Sequence, residues 1–434
     1  MVEPAAPTNV ESRARPNLVL LGLTLIPAAF LWVEVGRSVP ARLEYPTLSH
    51  RDPVRLLFLC GENWRLSSAG ESPAKVDQGK QRFFDATTEL TREFESYRRV
   101  DPRAATARLR GVTRDITALA VVAAAWGDPA KARQYFAGGS ADDAPDYARL
   151  RREEIVEGRT EREHSRSARI RRFDRSVRWL DGLMLGLVAP AAVMLQRTRA
   201  RWAVREFAPV PIGLAWALVL WVWSEAASWL ASVATRRDVP VLADFHPFSE
   251  FFAIPVVLAL IRSALGRGAE SPLHRMQRWP TTREERLEVA SWTALGLAGS
   301  VAVTWGVHLA AAPLGLGPVW SQHLVESMLL GTPWEATGTV ATLVIAAPFL
   351  EELLYRGLLF GGLFRRFGLG WATLVSSAVF AATHGYGIAS SLSIAFHGCI
   401  YALVYARTRS LWPAMFLHAM SNVFAILGNY GLLL

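Results

Sequence analysis

The pattern of apolar and polar positions divides the chain into two unlike regions. Residues 40–178 mix charged and apolar positions at helical spacing, whereas residues 180–434 consist of apolar runs separated by short polar loops. A run of about 20 apolar residues is long enough to cross a bilayer as a helix. We therefore expect an all-α fold: a polytopic transmembrane helical bundle with an N-terminal helical soluble region between its first and second spans.

The apolar runs set the predicted domain boundaries. The first run, residues 17–36, follows Arg13 and Arg15 and lacks a clear small-residue cleavage site, so we interpret it as an uncleaved anchor. The further candidate spans are 180–196, 210–234, 249–265, 288–312, 337–363, 370–388, 390–406 and 411–430. The predicted parts are an N-terminal anchor (1–39), a helical soluble region (40–178), additional transmembrane helices (179–287) and a C-terminal core (288–434).

The region before the second span carries two features of its own. Residues 107–139 predict two amphipathic helices joined by a Gly-Asp-Pro turn. One copy of this hairpin favours a small helical bundle over a tetratricopeptide-like solenoid, which needs several repeats. The arginine-rich segment 159–178 is either a solvated helix face, which we favour, or a stripe that rests on anionic lipid headgroups.

The net charge of +9 is almost all arginine, and its distribution predicts the orientation of the chain. Residues 262–286 are rich in arginine, which places this loop on the cytoplasmic side. Residues 313–335 contain no Lys or Arg and are expected on the opposite side. Counting back puts residues 40–178 outside the cytoplasm, or inside it if 180–196 does not span. We expect a multi-pass protein of a bacterial inner membrane. No nucleic-acid partner is expected, because the sequence has no nucleic-acid module and no basic patch interleaved with aromatic residues.

Charged residues interrupt one of the apolar runs. The stretch "APFLEELLYRGLLF" (347–360) contains Glu351, Glu352 and Arg356, and a charge at the bilayer centre costs about 2.5–3.5 kcal/mol. On an α-helix Glu352 and Arg356 share a face, whereas Glu351 lies about 140° around the axis from Arg356. An ion pair that only fixes packing would account for Glu352 and Arg356 but would leave Glu351 without a role.

Two later runs contain further polar side chains. His384 follows Phe380 in "FAATHGYG", and "LHAMSNVF" places His418 four residues before Asn422, on the same helix face. A carboxylate, two histidines and an amide from three spans supply the groups for water activation and oxyanion stabilisation, the latter worth about 2.7–4 kcal/mol per donor. His308 and His397, also within apolar runs, are interpreted as structural core residues.

The motifs "EELLYR", "FAATH" and "HAMSN" resemble those of the CPBP family of intramembrane proteases, which includes the CAAX-prenyl endopeptidases. The resemblance covers about residues 288–434. It implies that Glu351 and His384 activate water and that His418 and Asn422 stabilise the oxyanion. The supporting residues of this predicted site are Glu352, Arg356 and Phe380.

The resemblance implies a glutamate-dependent reaction without a cofactor. Zinc held by Glu351, His384 and His418 is the less favoured alternative, since a catalytic zinc takes three protein ligands but the HExxH motif is absent. Cys60 and Cys399 lie in unlike settings and predict neither a disulfide framework nor a metal knuckle.

We therefore predict an intramembrane endopeptidase that cleaves a membrane-anchored protein or peptide within the lipid bilayer, with trimming of the C-terminal tails of exported proteins as one role. Two alternatives stay open. One is a non-catalytic membrane scaffold or bacteriocin-immunity protein, which need not keep all four catalytic residue types. The other is a proton-relay transporter, because intramembrane Glu and His also build such relays, although a relay does not need an Asn four residues after a His.

Overall fold

A computed structural model describes the helices that carry the motifs. The residues described are 22–29, parts of 73–88, 172, 175–197, 214–234, 247–265, 278–311, 333–384 and 388–430. Nearly all of them are helical, which confirms the predicted all-α bundle. The predicted hairpin at 107–139 and most of the arginine-rich segment 159–178 lie outside the described residues.

One compact unit comprises residues 1–39, 181–317 and 330–425, which include most of the segment 288–434 that was predicted as the core. A second unit comprises residues 40–180, 318–329 and 426–434, and its described residues between 73 and 88 are helical. The helices that contribute to the first unit are α1 (Val188–Arg197), α2 (Leu214–Ala234), α3 (Ser249–Leu265), α4 (Arg283–Ala311), α5 (Pro333–Ala341), π1 (Thr342–Ala346), α6 (Ala347–Glu351), π2 (Glu352–Phe360), α7 (Gly361–His384), α8 (Ile388–Thr408) and α9 (Leu411–Tyr430).

Several of these helices have the length and hydropathy of membrane spans, which makes the chain an integral multi-pass membrane protein. Among the described residues, four helical segments meet both criteria: Arg175–Gln196, Leu214–Ala231, Arg283–Ala311 and Ala389–Thr408. A shorter apolar helical stretch, Leu411–Leu427, lies in α9. These segments overlap the apolar runs that the hydropathy pattern marked as spans.

The predicted span 337–363 differs from a regular α-helix. It consists of α5, π1, α6 and π2 in succession, so that α-helical and π-helical stretches alternate. A π-helix pairs each residue with the fifth residue along the chain and is rare, and single π turns occur frequently at functional sites. Every residue of π2 is buried. The angles between side chains therefore differ from those of 3.6 residues per turn in this segment, although Glu352 and Arg356 still pair as the spacing predicted.

A break in α7 separates two of the predicted spans. Gly368 has φ 77° and ψ 179°, a backbone conformation that interrupts the helix and that glycine adopts without steric cost. The break falls between the apolar runs 337–363 and 370–388. The hydropathy pattern therefore located this turn even though the helix resumes directly after it.

Helix π2 lies at the centre of the bundle. It packs against α2, α7 and α8, while α8 also packs against α4 and α7. Leu353, Leu358 and Phe360 of π2 have no exposed surface. The charged residues of π2 are therefore surrounded by protein.

Candidate active site

A buried ion pair occupies the inner side of the site. The Arg356 Nη1 donates to Glu352 Oε1 at 2.8 Å, and neither side chain has exposed surface. His418 Nδ1 lies 3.0 Å from the same oxygen. We call Glu352, Arg356 and the Nδ1 side of His418 the inner cluster. Breaking such a pair leaves an uncompensated charge in a low-dielectric interior, which is strongly unfavourable.

Two aromatic rings hold the guanidinium of Arg356. Its Cζ lies 4.3 Å from the centroid of the Phe380 ring and 5.3 Å from that of Tyr401. A desolvated cation–π contact contributes about 2 kcal/mol. The Arg356 Nε and Nη2 atoms are buried and have no hydrogen-bond partner among the described residues. The aromatic contacts therefore stabilise the part of the guanidinium that the carboxylate does not reach.

Glu351 faces two histidines from different helices. Its Oε2 lies 3.7 Å from His384 Nε2 and 3.8 Å from His418 Nε2. Both distances are too long for direct hydrogen bonds. The side chain of Glu351 is 24% exposed, unlike that of Glu352. We call Glu351, His384 and the Nε2 side of His418 the outer cluster.

The second nitrogen of each imidazole fixes its orientation. His384 Nδ1 lies 2.7 Å from the carbonyl oxygen of Phe380, which can only accept, so Nδ1 carries the proton. His418 Nδ1 likewise donates to Glu352, whose carboxylate is paired with Arg356. In the neutral ring this leaves Nε2 of both histidines as the basic nitrogen. Both basic nitrogens lie on the side of Glu351.

Phe380 contacts both histidine rings. Its ring centroid lies 4.7 Å from that of His384 and 5.6 Å from that of His418, both in edge-to-face geometry. Tyr355 of π2 contacts the same ring at 5.1 Å. Phe380 is buried and, as described above, also lies under Arg356. It therefore connects the inner and outer clusters by packing.

Asn422 lies on α9 one turn after His418 but has a different partner. Its Nδ2 donates to the carbonyl oxygen of Leu343 in π1 at 2.7 Å. Within the described part of the chain it makes no hydrogen bond to Glu351 or His418. The structure thus brings together Glu351, His384 and His418, while Asn422 connects α9 to the π-helical segment that precedes Glu351.

The sequence interpretation missed a carboxylate next to this site. Glu225 of α2 accepts a hydrogen bond from the Tyr355 hydroxyl at 2.6 Å, and that hydroxyl lies 2.9 Å from Thr383 Oγ1. Glu225 was counted within the apolar run 210–234. A single ionisable residue inside such a run is itself a signal of a functional position, and it could have found this residue.

The remaining intramembrane histidines were expected to be structural. His397 Nδ1 lies 2.7 Å from the carbonyl oxygen of Ser393, and its Nε2 lies 3.4 Å from Thr304 Oγ1 on α4. These contacts join α8 to α4 and fit that expectation. The side chain of His308 lies outside the described residues.

The three converging side chains were also tested as a zinc site. Ligands of a tetrahedral zinc at about 2.0–2.2 Å from the metal lie roughly 3.3–3.5 Å from one another. The Glu351 to histidine separations of 3.7 and 3.8 Å are wider. Among the described residues, no group of three or more His, Cys, Asp or Glu side chains has the arrangement of a metal site. That the reaction uses no metal stays a prediction.

An apolar cavity borders the segment that carries Glu351. Its volume is about 660 Å³. Residues from five helical segments line it, among them Ile254, Val289, Val344, Phe349 and Phe416. Its walls are almost entirely apolar, as a site for an apolar peptide segment or a hydrocarbon chain would be.

Comparison with known proteins identifies the C-terminal part of the chain. Residues 333–424 match the family described as type II CAAX prenyl endopeptidase Rce1-like. Over 83 residues the chain is 34% identical to a Bacillus subtilis (strain 168) protein named Putative membrane peptidase YdiL; these residues are 19% of this chain and 34% of that protein. The match thus spans about a third of that relative. No solved structure matches the chain. The resemblance that the motifs predicted is therefore confirmed for residues 333–424.

Proposed function

We propose that the protein is an intramembrane endopeptidase in which Glu351 activates a water molecule. The observation that carries this proposal is the outer cluster: Oε2 of Glu351, a buried oxygen of a side chain that is 24% exposed, faces the basic nitrogens of two oriented histidines at 3.7 and 3.8 Å. General-base catalysis needs such a group within reach of a water, directly or through one bridge. The family match and the membrane-spanning helices support a substrate that is itself membrane-associated.

The attack on the peptide carbonyl follows from these positions. A water between Glu351 and His384 donates one hydrogen bond to the carboxylate and a second one to His384 Nε2. As its oxygen attacks the scissile carbonyl carbon, Glu351 takes the proton and the carbonyl becomes an oxyanion. The Phe380 carbonyl keeps the His384 ring in the tautomer that accepts this hydrogen bond.

The collapse of the intermediate needs a proton for the leaving nitrogen, and we assign its path to Glu351 and His418. The proton passes from Glu351 to Nε2 of His418, and the imidazolium is stabilised by Glu352 at 3.0 Å from Nδ1. In this protonated form His418 donates a hydrogen bond to the oxyanion. It then transfers the proton to the leaving nitrogen as the carbon–nitrogen bond breaks. Asn422 is proposed as the second oxyanion donor, with the amide N–H that its Leu343 contact does not use.

The proposed substrate is the membrane-anchored end of a protein, such as the C-terminal tail of an exported protein in a bacterial inner membrane. The apolar cavity beside Glu351 offers an apolar surface for the residues that flank the cleaved bond. No metal takes part in the proposed reaction.

The test is cleavage of a panel of membrane-tailed peptides by the purified full-length protein in lipid, with products identified by mass spectrometry. We expect Glu351→Gln to abolish cleavage without loss of the folded protein, because the amide cannot accept the proton of the water. The matched control is Glu284→Gln, the same change at an exposed position in the first turn of α4. That variant should cleave like the wild type.

Three results would contradict the proposal. One is wild-type cleavage by Glu351→Gln. Another is the absence of cleavage of every peptide by the wild type, which would favour a scaffold. The third is activity that a chelator removes and added zinc restores, which would make Glu351, His384 and His418 metal ligands.

A further inference from the structure

A carboxylate from outside the family-matching segment reaches the proposed site. Glu225 lies in α2, which packs against π2, and its Oε1 is 2.6 Å from the hydroxyl of Tyr355. Tyr355 is 2% exposed and Glu225 is partly buried, so this hydrogen bond is shielded from solvent on the Tyr355 side. Such a bond is strong, and a buried carboxylate that loses its partner is costly. Glu225 therefore fixes the position of the Tyr355 side chain.

Close polar contacts continue from the Tyr355 hydroxyl through Thr383 to His384. The Tyr355 hydroxyl lies 2.9 Å from Thr383 Oγ1, which donates to the carbonyl oxygen of Phe380 at 2.9 Å. The same carbonyl oxygen accepts the Nδ1 proton of His384 at 2.7 Å. A continuous series of close polar contacts thus connects Glu225 on α2 to the imidazole that faces Glu351. The hydroxyl hydrogens of Tyr355 and Thr383 go to Glu225 and to the Phe380 carbonyl, and the two hydroxyl oxygens lie against each other at 2.9 Å.

Aromatic packing gives a second connection between the same groups. The Tyr355 ring lies edge-to-face on Phe380 with centroids 5.1 Å apart, and Phe380 contacts the His384 ring at 4.7 Å. A shift of Tyr355 would therefore displace both the carbonyl and the ring that hold His384. Tyr355 is one residue before Arg356, so the same shift would also reach the inner cluster.

We infer that Glu225 is a positioning residue for the proposed active site, acting through Tyr355 and Thr383 on the orientation of His384. Its catalytic consequence rests on the proposed function; its structural consequence does not. It follows that the core at 333–424 is completed by a helix that the family match does not include. Glu225 does not touch the reacting atoms in this scheme.

Three variants separate positioning from simple structural support. Tyr355→Phe removes only the hydroxyl. Glu225→Leu removes the acceptor, and Glu225→Gln removes the charge but keeps an oxygen that can accept from Tyr355. Tyr405→Phe is the matched control, because this buried tyrosine packs on Phe360 at 5.9 Å, away from His384.

The first measurement needs no substrate. In full-length protein labelled with nitrogen-15 histidine and embedded in lipid, the His384 resonances are assigned by their loss in His384→Gln. We expect the Nδ1-protonated tautomer in the wild type, in Glu225→Gln and in Tyr405→Phe. In Tyr355→Phe and Glu225→Leu the two ring-nitrogen resonances should shift toward an exchanging mixture of tautomers.

The second measurement is peptide cleavage. Tyr355→Phe and Glu225→Leu should each lower kcat about tenfold with little change in KM, and the double variant should lose no more than the worse single variant, since both break one series of contacts. If Glu225→Leu does not accumulate, Tyr355→Phe decides the outcome. Unchanged His384 resonances in Tyr355→Phe would overturn the inference. Failure of the proposed function would instead appear as cleavage by Glu351→Gln, with the spectra unaffected.

Discussion

The inner and outer clusters place two glutamates that are adjacent in sequence in opposite surroundings. Glu352 has no exposed surface and binds Arg356 at 2.8 Å, whereas the Glu351 side chain is 24% exposed and lies 3.7 Å from the nearer histidine nitrogen. A carboxylate that binds a buried cation is fixed in position. One that faces basic nitrogens across a gap is placed to exchange a proton with them. The difference shows how one helical segment supplies both a structural anion and a proposed base.

His418 belongs to both clusters. Its Nδ1 donates to Glu352 and its Nε2 faces Glu351. The inner cluster therefore orients a group that the outer cluster uses, because a carboxylate that accepts from one imidazole nitrogen fixes the direction of the other. Variants of the inner cluster should act on stability first, whereas variants of the outer cluster should act on cleavage with little effect on stability.

The largest expected effect on stability is the loss of the inner ion pair. Arg356→Ala and Glu352→Gln each leave one partner buried without its counter-charge, which costs about 3–5 kcal/mol. We expect a lower yield of folded protein and a lower thermal midpoint in detergent for both. The control is Arg278→Ala, which breaks the exposed 2.8 Å pair with Glu285. Such surface pairs contribute about 0–1 kcal/mol.

Equal thermal midpoints for Arg356→Ala and Arg278→Ala would contradict the burial of the inner pair. A loss of cleavage by Arg356→Ala at full stability would instead assign Arg356 to the chemistry. Either result would remove the proposed division between the two clusters.

An intermediate effect is expected at Asn422, whose replacement should affect both the cleavage rate and the stability. If its amide supplies an oxyanion donor, Asn422→Ala should lower kcat by about 10²–10³. The lost bond to the Leu343 carbonyl should cost about 1 kcal/mol of stability. The two readouts, cleavage rate and thermal midpoint, are measured on the same preparation. A change in the midpoint with an unchanged rate would show that Asn422 only ties α9 to π1.

Parts of this arrangement were predictable from residue spacing. The separation of Glu352 and Arg356 by four residues indicated their ion pair, and the hydropathy pattern marked the turn that forms at Gly368. Apolar composition alone locates the turn, because each uninterrupted apolar run must be buried or in lipid and the gap between two runs marks a break.

Other parts depend on contacts between helices. The π-helical geometry of residues 352–360 leaves no mark in an apolar run that is buried on all sides, since hydrophobic periodicity then vanishes. The bond between His418 and Glu352 joins residues 66 apart, and that between Glu225 and Tyr355 joins residues 130 apart. Which polar group meets which is decided by packing, and a single sequence does not show it.

The smallest effect tests how closely the inner cluster is packed. A Cβ at Gly398 of α8 would lie 3.0 Å from Arg356 Nη2 and 3.1 Å from Ser377 Oγ. The guanidinium cannot move away easily, because Glu352 binds its Nη1 and Phe380 lies against its face. We expect Gly398→Ala to cost about 1–3 kcal/mol as an overpacked core. The control is Gly306→Ala in α4, where a Cβ meets nothing within 4 Å and alanine should stabilise the helix by up to about 1 kcal/mol.

A double-variant cycle identifies Arg356 as the cause of that cost. In the Arg356→Lys background the Nη2 atom is gone, so Gly398→Ala should lose less stability there than in the wild type. The thermal midpoints of the four proteins give the coupling directly. If the two changes add independently, the strain lies at Ser377 rather than at Arg356. In that case the inner cluster is held by its ion pair and aromatic contacts alone, and the close approach of α8 at Gly398 serves the packing of α7.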